Sequence, residues 1–357
     1  MTCQMVYHNG NCLNTKKPFA HACRLCIESC PHQAISEYRQ FEAKKCTECG
    51  ACMAVCPSDG FVDQTMDKLH DYLWEAKDIV LNCPQAIPSG FEIPCLGILD
   101  RDGWMTLMLL AKEKPVTIIT GVCAECEDRQ ACAASVQTFK QVHGDWPGHA
   151  AVQIQVRPDE EAVEAVEPVS KVGSPRTVVP PVEMTSWRQR GREKLAEWLP
   201  NLAADDTYAI PKSRQWLMEL LEKTSEEKIP FRALSVAESC TSCGVCVAIC
   251  PQGALQKQEV MNSEPEDPVK EDKIASLRLI LEPQKCVHCG RCVETCRPKA
   301  LSLSIKLLSY RLLTGRILIH EGSPRYCSRC GKRIFDNSEL CLVCSTSGPD
   351  NRGFFIP

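Results

Sequence analysis

The sequence has no long apolar segment, no secretion signal and no charge balance that points to nucleic acid. Its longest apolar runs, around Trp104–Ala111 and Leu307–Ile319, are shorter than the roughly 18 residues of a membrane helix or are interrupted by charge. The first twelve residues lack the charged and apolar regions of a signal peptide. The net charge of −4 gives no global basic field. We therefore expect a cytoplasmic protein with no membrane span of its own, which would reach a membrane only through partners.

The sequence also lacks the short motifs that bind nucleotides or build common active sites. There is no G-x-G-x-x-G run and no P-loop. No Ser/His/Asp group or pair of carboxylates stands out, and the eight histidines are scattered. We therefore predict no catalytic residue and expect that the chain is not an enzyme by itself.

Cysteine, by contrast, is abundant, with 26 residues in a chain of 357. The even count permits a disulfide framework. However, the chain is too long for a small disulfide scaffold, and most of its cysteines lie two or three residues apart. Such spacing suits one metal site better than a bridge between distant loops. The sequence therefore predicts metal-bound thiolates in a reducing compartment.

The clearest motif is a doubled run towards the C-terminus, Cys240-x2-Cys243-x2-Cys246-x3-Cys250-Pro251 followed by Cys286-x2-Cys289-x2-Cys292-x3-Cys296. A [4Fe–4S] cube takes three thiolates from one tight loop and the fourth from the other motif. On this rule the two predicted ligand sets are Cys240, Cys243, Cys246 and Cys296, and Cys286, Cys289, Cys292 and Cys250. Zinc is the weaker alternative, because eight cysteines in this doubled register are improbable for it.

The N-terminal block repeats this scheme with one change. Its second motif, from Cys46 to Cys56, is complete, whereas the first has Ala20 where a cysteine is expected. Cys12 could supply the missing ligand from a longer loop, and Cys3 competes for that role. A three-iron cluster or a different ligand is the alternative at this site. The predicted sets are Cys12, Cys23, Cys26 and Cys56, and Cys46, Cys49, Cys52 and Cys30.

Both doubled motifs resemble bacterial dicluster ferredoxins, over residues 12–61 and 235–305. The resemblance implies one-electron transfer between partner proteins. Each fourth cysteine opens a repeated phrase, CPHQAI, CPSDGF, CPQGAL and CRPKAL, in which proline fixes the turn. In the last phrase Arg297 replaces the proline. A cation beside a cluster should favour its reduced form and raise its potential.

The second cysteine block is predicted to fold as a small, mostly parallel α/β domain. Ile79–Leu81, Val116–Thr120 and Ala151–Val156 have the composition or alternation of strands, and Trp104–Lys112 and Asp128–His143 fit helices. Strands that alternate with helices are typical of a parallel sheet.

Five cysteines of this domain, the middle site, are Cys83, Cys95, Cys123, Cys126 and Cys132. The first three follow strand-like runs, and the carboxyl ends of strands are where open α/β sheets place ligands. The phrases VLNCP, IPCLGILD and TGVCAEC resemble the iron–sulfur delta subunit of methyl-viologen-reducing hydrogenases, over about residues 78–142. That subunit passes electrons from hydrogenase to heterodisulfide reductase, so the resemblance implies one further cluster here, of the [2Fe–2S] type. The preferred ligands are Cys83, Cys95, Cys123 and Cys126, with Cys132 as the alternative fourth ligand and zinc or free thiols as the other interpretation.

The last four cysteines, Cys327, Cys330, Cys341 and Cys344, form two C-x2-C pairs that are typical of a zinc ribbon. Rubredoxin iron uses similar pairs, but the short separation argues against it. The segment is basic, yet no wider basic stripe extends from it, so we expect partner docking or stability rather than nucleic-acid binding.

The predicted fold is α+β and multi-domain, with two dicluster ferredoxin-type modules flanking a small α/β cluster-binding domain and a C-terminal zinc ribbon. The predicted boundaries are 1–66 (N-terminal module), 67–157 (middle domain), 158–230 (linker and helical segment), 231–306 (C-terminal module) and 307–357 (ribbon). In the linker segment, Thr185–Leu199 and Ser213–Lys223 have helical spacing, and Ser213 is a candidate cap.

The expected cofactors are four [4Fe–4S] clusters, one further cluster and one zinc ion. The expected function is to relay single electrons between redox subunits of a larger oxidoreductase complex of hydrogenase, formate dehydrogenase or heterodisulfide reductase type, in a hetero-oligomer. One alternative is a reductase that acts on a disulfide or small oxidant at the middle site. The other is a metal-rich scaffold or regulator that uses its ribbon.

Overall fold

The computed structural model describes residues 5–17, 19, 21–146, 152–156, 210–224, 226–261, 274–335 and 338–346. Cys3, residues 158–182 of the predicted linker segment and the predicted helix at Thr185–Leu199 lie outside the described residues. The helices are α1 (Leu13–Lys16), α2 (Leu25–Glu28), α3 (Ala51–Val55), α4 (Gln64–Glu75), α5 (Arg101–Leu110), α6 (Arg129–Asp145), α7 (Lys212–Lys223), α8 (Val245–Ile249), α9 (Arg291–Thr295), α10 (Tyr310–Thr314) and α11 (Leu342–Thr346). The strands are β1 (Val6–Tyr7), β2 (Phe61–Val62), β3 (Ile79–Asn82), β4 (Phe91–Glu92), β5 (Val116–Thr120), β6 (Gln153–Val156), β7 (Lys228–Val236), β8 (Leu255–Met261), β9 (Ile274–Leu281), β10 (Leu301–Ser309), β11 (Ile317–Gly322), β12 (Arg325–Tyr326) and β13 (Arg333–Ile334).

A parallel sheet with strand order β4-β3-β5-β6 forms the middle domain. The parallel pairing of β3 with β5 confirms the predicted arrangement. The β-branched residues of both strands suit a parallel sheet, which is usually covered on both faces. Helix α5 begins earlier than predicted, because Asp100 caps it by accepting the backbone N–H of Gly103 at 2.7 Å. The two-residue strand β4 was not predicted, since a pair of residues is too short to show alternation.

The main apolar core lies around α5, whose residues after Arg101 are all buried. Trp104 is fully buried, and its indole N–H donates to the hydroxyl of Ser135 at 3.0 Å. Helix α7 packs against α5 and buries Trp216 in the same core, which confirms the predicted helix. The predicted cap at Ser213 is wrong: Pro211 precedes the helix, and the Ser213 hydroxyl donates to Asp100 Oδ2 instead.

The C-terminal module is built on antiparallel strands. β7 and β10 pair along nine residues each, and β8, β9 and β11 form a second sheet. The segment between the two cysteine motifs provides β8 and β9, while residues 262–273 lie outside the described chain. Ile229 and Phe231 at the start of β7 join the main core, so this module and the middle domain share buried apolar surface.

The N- and C-terminal modules contact each other directly although they are far apart in sequence. Arg291, which is 3% exposed, donates hydrogen bonds to the carbonyls of Leu13 and Lys17, both at 3.0 Å, and to Asn14 Oδ1 at 3.1 Å. The ammonium of Lys16 bonds Gln252 Oε1 across the same contact. Because this arginine is buried with three acceptors, the contact is a specific fit rather than a surface encounter. Within the described ranges, no helix is both long and apolar enough to cross a bilayer.

Candidate metal centres

The three complete cysteine loops share one backbone conformation. The residues two positions after the first cysteine (Glu48, Ser242 and His288) and four positions after it (Gly50, Gly244 and Gly290) all have positive φ, from 50° to 80°. Two left-handed residues so close together curl the chain tightly, and glycine adopts this conformation without strain. The short helices α3, α8 and α9 begin directly after these glycines.

The four repeated phrases also share a hydrogen bond. In each phrase the backbone N–H four residues after the cysteine donates to that cysteine's sulfur. The pairs are Ala34 and Cys30 (3.3 Å), Gly60 and Cys56 (3.1 Å), Ala254 and Cys250 (3.3 Å), and Ala300 and Cys296 (3.3 Å). A hydrogen bond of this kind favours negative charge on a thiolate sulfur, and hydrogen bonds to sulfur are one of the means by which proteins set a cluster's potential.

Four cavities are each lined by four of the predicted cysteines. They are cavity A (Cys12, Cys23, Cys26 and Cys56), cavity B (Cys30, Cys46, Cys49 and Cys52), cavity C (Cys250, Cys286, Cys289 and Cys292) and cavity D (Cys240, Cys243, Cys246 and Cys296). At each cavity, three cysteines come from one motif and the fourth comes from the other motif of the same module, which is the grouping predicted from the sequence. The donor set fits a [4Fe–4S] cluster, and the ligand role of each cysteine remains a prediction.

Burial governs the electrostatics of these thiols. Burial, with the thiols of Cys286 and Cys289 adding to it, raises the pKa of Cys292 to about 12. Burial likewise raises the pKa of Cys49 to about 12 and that of Cys26 to about 11. Thiolates crowded in such a place require a cationic partner, so binding of metal at these cavities must release protons.

The incomplete first motif is held differently from the other three. Arg24 takes the place of the left-handed glycine that precedes the short helix in each complete loop. Its φ is −124° rather than positive, and α2 begins directly after it. Asn14 fixes Cys23 by accepting its backbone N–H at 2.8 Å and donating to its carbonyl at 3.0 Å. The same Asn14 accepts a bond from Arg291, so this loop both lines cavity A and docks the C-terminal module. Sequence reasoning missed Asn14 and Arg291, which no local pattern marks.

The middle site lies at the carboxyl ends of the parallel strands, as predicted. The sulfur of Cys132 lies 3.6 Å from that of Cys123, and its thiol also hydrogen-bonds Cys95. That bond, aided by backbone N–H groups of Gly97 and Leu96, lowers the pKa of Cys95. The sequence treats Cys126 as the preferred fourth ligand, but the structure brings Cys132 closer to the other thiols.

The middle site adjoins cavity B. Asp128, just before α6, accepts the hydroxyl of Thr47 at 2.7 Å and bonds His32 Nε2 at 2.8 Å. His32 and Thr47 both line cavity B. A Cβ placed on Gly97 would lie 2.8 Å from the Cβ of Ala131 in α6 and 3.3 Å from the carbonyl oxygen of Cys49, so the glycine lets this turn pack closely against α6 beside the cavity B loop.

The last four cysteines come together as predicted. Among the described residues, they are the one His, Cys, Asp or Glu group whose ligand atoms all lie within 4.8 Å of one another. The sulfurs of Cys330 and Cys341 are 3.7 Å apart. Four thiolates at about 2.3 Å from one tetrahedral ion would be separated by about 3.8 Å. Backbone N–H groups, above all that of Cys341, lower the pKa of Cys327 to about 6, and the geometry fits a metal ion of the zinc type.

His288, which lies inside the cysteine loop of cavity C, is half-buried. Its ring packs edge-on against Phe231 with centroids 4.7 Å apart, and burial together with Arg214 holds its pKa well below the usual range. It therefore presents a neutral ring beside the Cys286–Cys292 loop.

Comparison with known proteins identifies the ferredoxin parts of the chain. Residues 239–300 match the family described as a 4Fe-4S dicluster domain, and residues 40–61 match a 4Fe-4S binding domain. The expected resemblance to 4Fe–4S ferredoxins is thereby confirmed for these segments. The chain carries 4Fe–4S ferredoxin-type domains, which supports the binding of more than one [4Fe–4S] cluster.

Several curated proteins are similar over part of their length. One subunit of the ferredoxin:CoB-CoM heterodisulfide reductase of Methanosarcina acetivorans is 28% identical over 32% of this chain and 16% of its own length. A polyferredoxin of Methanothermus fervidus is 30% identical over 18% of this chain and 21% of its own. An iron-sulfur subunit of the CoB–CoM heterodisulfide reductase of Methanocaldococcus jannaschii is 24% identical over 40% of this chain and 23% of its own length. The chain thus spans less than a quarter of the length of each of these relatives.

Proposed function

We propose that this chain is an electron-transfer subunit that relays single electrons between redox subunits of a larger oxidoreductase complex. The observation that carries this proposal is the set of four cavities, each lined by four cysteines, in two modules that contact each other. Relatives named as polyferredoxin and heterodisulfide reductase subunits support it. Bound [4Fe–4S] clusters would accept and release one electron each.

Neighbouring cavities suggest an order for the relay. Thr47 and Asp128 link the middle site to cavity B. Cavities A and B adjoin, since the nearby thiol of Cys26 is one of the charges that raise the pKa of Cys52. Arg291 links cavity A to cavity C. Cavities C and D adjoin through Cys292 and Cys246. We propose a single line from the middle site through B, A and C to D.

The chain's own residues would control entry at the far end of this line. Cys243 of cavity D is exposed, whereas Cys49 and Cys52 of cavity B are buried. The ribbon approaches the cavity D loop, where the Ser242 hydroxyl donates to the carbonyl of Phe335 at 3.5 Å. We propose that one redox partner docks beside cavity D and that a ribbon-bound zinc ion stabilises this surface.

The relay predicts fast electron exchange within one chain. Anaerobically reconstituted protein would be mixed with a substoichiometric one-electron donor and sampled by rapid-freeze EPR. We expect the electron to spread over N- and C-terminal clusters at a rate independent of protein concentration. A rate that rises in proportion to concentration would mean that electrons pass between molecules, and would contradict the relay.

A second candidate function is a reductase that acts on a disulfide at the middle site, because two of its thiols lie 3.6 Å apart. The purified chain, supplied with reduced viologen and a panel of small disulfides, distinguishes the two. Turnover by the chain alone would favour the enzyme. Turnover that requires added partner subunits, with clusters cycling during the reaction, would favour the relay.

A further inference from the structure

The edge of cavity D carries positive charges that the described part of the chain does not neutralise. Lys257 and Arg297 both line this cavity, and both are exposed. The stem of Lys257 crosses the cavity D loop, since a Cβ placed on Gly244 would lie 3.2 Å from its Cδ. Neither cation makes an ion pair within the described ranges, whereas Arg278, the third cation at this cavity, pairs with Glu321 at 2.9 Å.

The zinc-ribbon segment extends this positive edge. Its hairpin of β12 and β13 leads into Phe335, whose carbonyl accepts the Ser242 hydroxyl of the cavity D loop at 3.5 Å. The guanidinium of Arg333 lies 5.4 Å from the centroid of the Phe335 ring. Arg325 pairs across the hairpin with Ile334, the residue before Phe335. The two parts therefore form one surface, the basic rim, which consists of Lys257, Arg297, Arg325 and Arg333.

Cations outnumber acidic side chains around the basic rim. Further exposed cations in the same module and ribbon are Lys299, Arg329 and Lys332. The exposed acidic side chains there are Glu238, Glu259 and Glu339. This surface is therefore positive, although the net charge of the whole chain is −4.

The basic rim surrounds the most accessible of the predicted cluster ligands. Cys243 is exposed, whereas the other cysteines that line cavities A to D are buried or half-buried. Cavity D is also the widest of the four, with a volume of about 370 Å³ compared with about 30 Å³ for cavity C. Because electron transfer slows steeply with distance, a protein that exchanges electrons with this end of the chain must sit against the rim.

The opposite end of the proposed relay has the opposite charge. Beside the middle site, Glu125 and Glu127 are exposed and Asp128 is half-buried, with Arg129 as the adjoining cation. Complementary charge steers partners during encounter, and like charge suppresses the wrong contact. A partner with a negative face would therefore be attracted to cavity D and repelled from the middle site.

We propose that the basic rim is the docking site of an acidic redox protein whose electron-exchanging face carries aspartate and glutamate side chains. The proposal rests on the proposed electron-transfer function, since it names the class of partner for one end of the relay. One electron passes in each encounter: the carrier is oxidised as the cavity D cluster is reduced, or the reverse, and no bond forms or breaks. Nucleic acid would also be attracted by the charge, but the exposed Cys243 at the centre of the rim favours a redox partner.

The first measurement uses the unsubstituted holoprotein, prepared anaerobically. The acidic carrier is a flavodoxin reduced to its hydroquinone, and stopped-flow absorbance follows oxidation of the flavin. We expect the second-order rate constant to fall about tenfold or more between about 20 mM and about 300 mM salt, because salt screens the attraction. The methyl viologen radical cation is the control carrier, and its rate constant should not fall. A flavodoxin rate that is independent of salt would overturn the proposal.

A pair of charge reversals tests where the carrier docks. Lys257→Glu with Arg325→Glu should lower the flavodoxin rate constant about tenfold at low salt and remove most of its salt dependence. The matched control, Lys68→Glu with Lys77→Glu, changes the net charge by the same amount at exposed positions of the middle domain, and it should retain the rate within about twofold. Zinc content and EPR spectra report whether each variant is folded.

Equal losses in the two variants would show that only net charge matters and would overturn the proposal, as would an unchanged rate in K257E/R325E. Binding of a fluorescent DNA duplex that is lost in K257E/R325E, while the flavodoxin rate is retained, would assign the rim to nucleic acid instead. The relay itself is tested separately, by following the spread of an electron within one chain after reduction by viologen. Its failure would leave clusters that do not exchange electrons, whatever docks at the rim.

Discussion

The two ferredoxin modules solve the same ligand problem in different ways. The C-terminal module uses two complete loops, each with left-handed residues two and four positions after its first cysteine. The N-terminal module has one such loop and replaces the other with a longer segment that starts at Cys12. That segment is also the surface on which the buried Arg291 of the C-terminal module docks. The departure from the regular motif therefore coincides with the contact that joins the modules.

This difference teaches that an irregular cysteine motif can carry a second structural role. A regular loop uses its backbone N–H groups for its own turn and for sulfur. In the longer segment, the carbonyls of Leu13 and Lys17 and the side chain of Asn14 are available to another part of the chain. The following substitutions test this comparison.

The largest expected effect is the loss of one cluster from the N-terminal module. Cys12→Ser removes the proposed fourth ligand of cavity A, and we expect it to leave a three-iron cluster or none, as measured by iron content and EPR. Cys3→Ser is the matched control and should change neither. The opposite pattern would mean that Cys3 is the ligand.

Removing the contact between the modules should have the next largest effect. Arg291→Met leaves three acceptors, one buried and two half-buried, without their donor. An unpaired buried acceptor costs about 1–3 kcal/mol, so we expect thermal unfolding to show a loss of about 3 kcal/mol in stability. Arg278→Met is the control, because Arg278 makes an exposed pair with Glu321 that is worth about 1 kcal/mol or less. Equal effects of the two changes would show that the docking contact contributes no more than a surface ion pair.

The cap of α5 predicts a pH dependence in the core that the modules share. Burial, with Asp102 nearby, raises the pKa of Asp100 to about 7. The folded state therefore keeps this carboxyl protonated, and the stability that it contributes is lost as pH rises from about 4 through 7. Asp100→Asn removes this dependence, so the stability of the variant relative to the wild type should rise by about 1.4 kcal/mol between pH 6 and pH 8.

Thermal scans at several pH values measure this gain. Asp67→Asn serves as the control, because Asp67 is exposed and pairs only with Lys212 among the contacts described for its side chain. A difference between Asp100→Asn and wild type that stays constant with pH would contradict the prediction.

The smallest expected effect concerns the one phrase that lacks its proline. Arg297 lines cavity D, where its positive charge should favour the reduced cluster. Arg297→Pro should lower that cluster's potential by on the order of tens of millivolts in a redox titration, whereas Arg297→Lys should keep it. The absence of a downward shift would remove the proposed role of this charge.

Local sequence pattern predicted those features that depend on neighbours in the chain. The cysteine groupings, strands β3 and β5 and helix α7 follow from spacing and periodicity. The contacts that join distant segments could not be predicted in this way. Arg291 reaches Leu13, Asp128 reaches Thr47, and Cys132 reaches Cys95, and nothing local marks these residues as partners. Ser213 was misread as a cap because its true partner, Asp100, is more than a hundred positions away.

The pairing of Leu13 with Arg291 has a consequence for biosynthesis. The two residues are 278 positions apart, so at usual translation speeds the N-terminal loop leaves the ribosome on the order of 15–55 s before its arginine does. During that interval the loop beside Cys12 is open to whatever machinery delivers iron and sulfide. Docking of the C-terminal module, which occupies the carbonyls of Leu13 and Lys17, can follow only after the last cysteine motif has been synthesised.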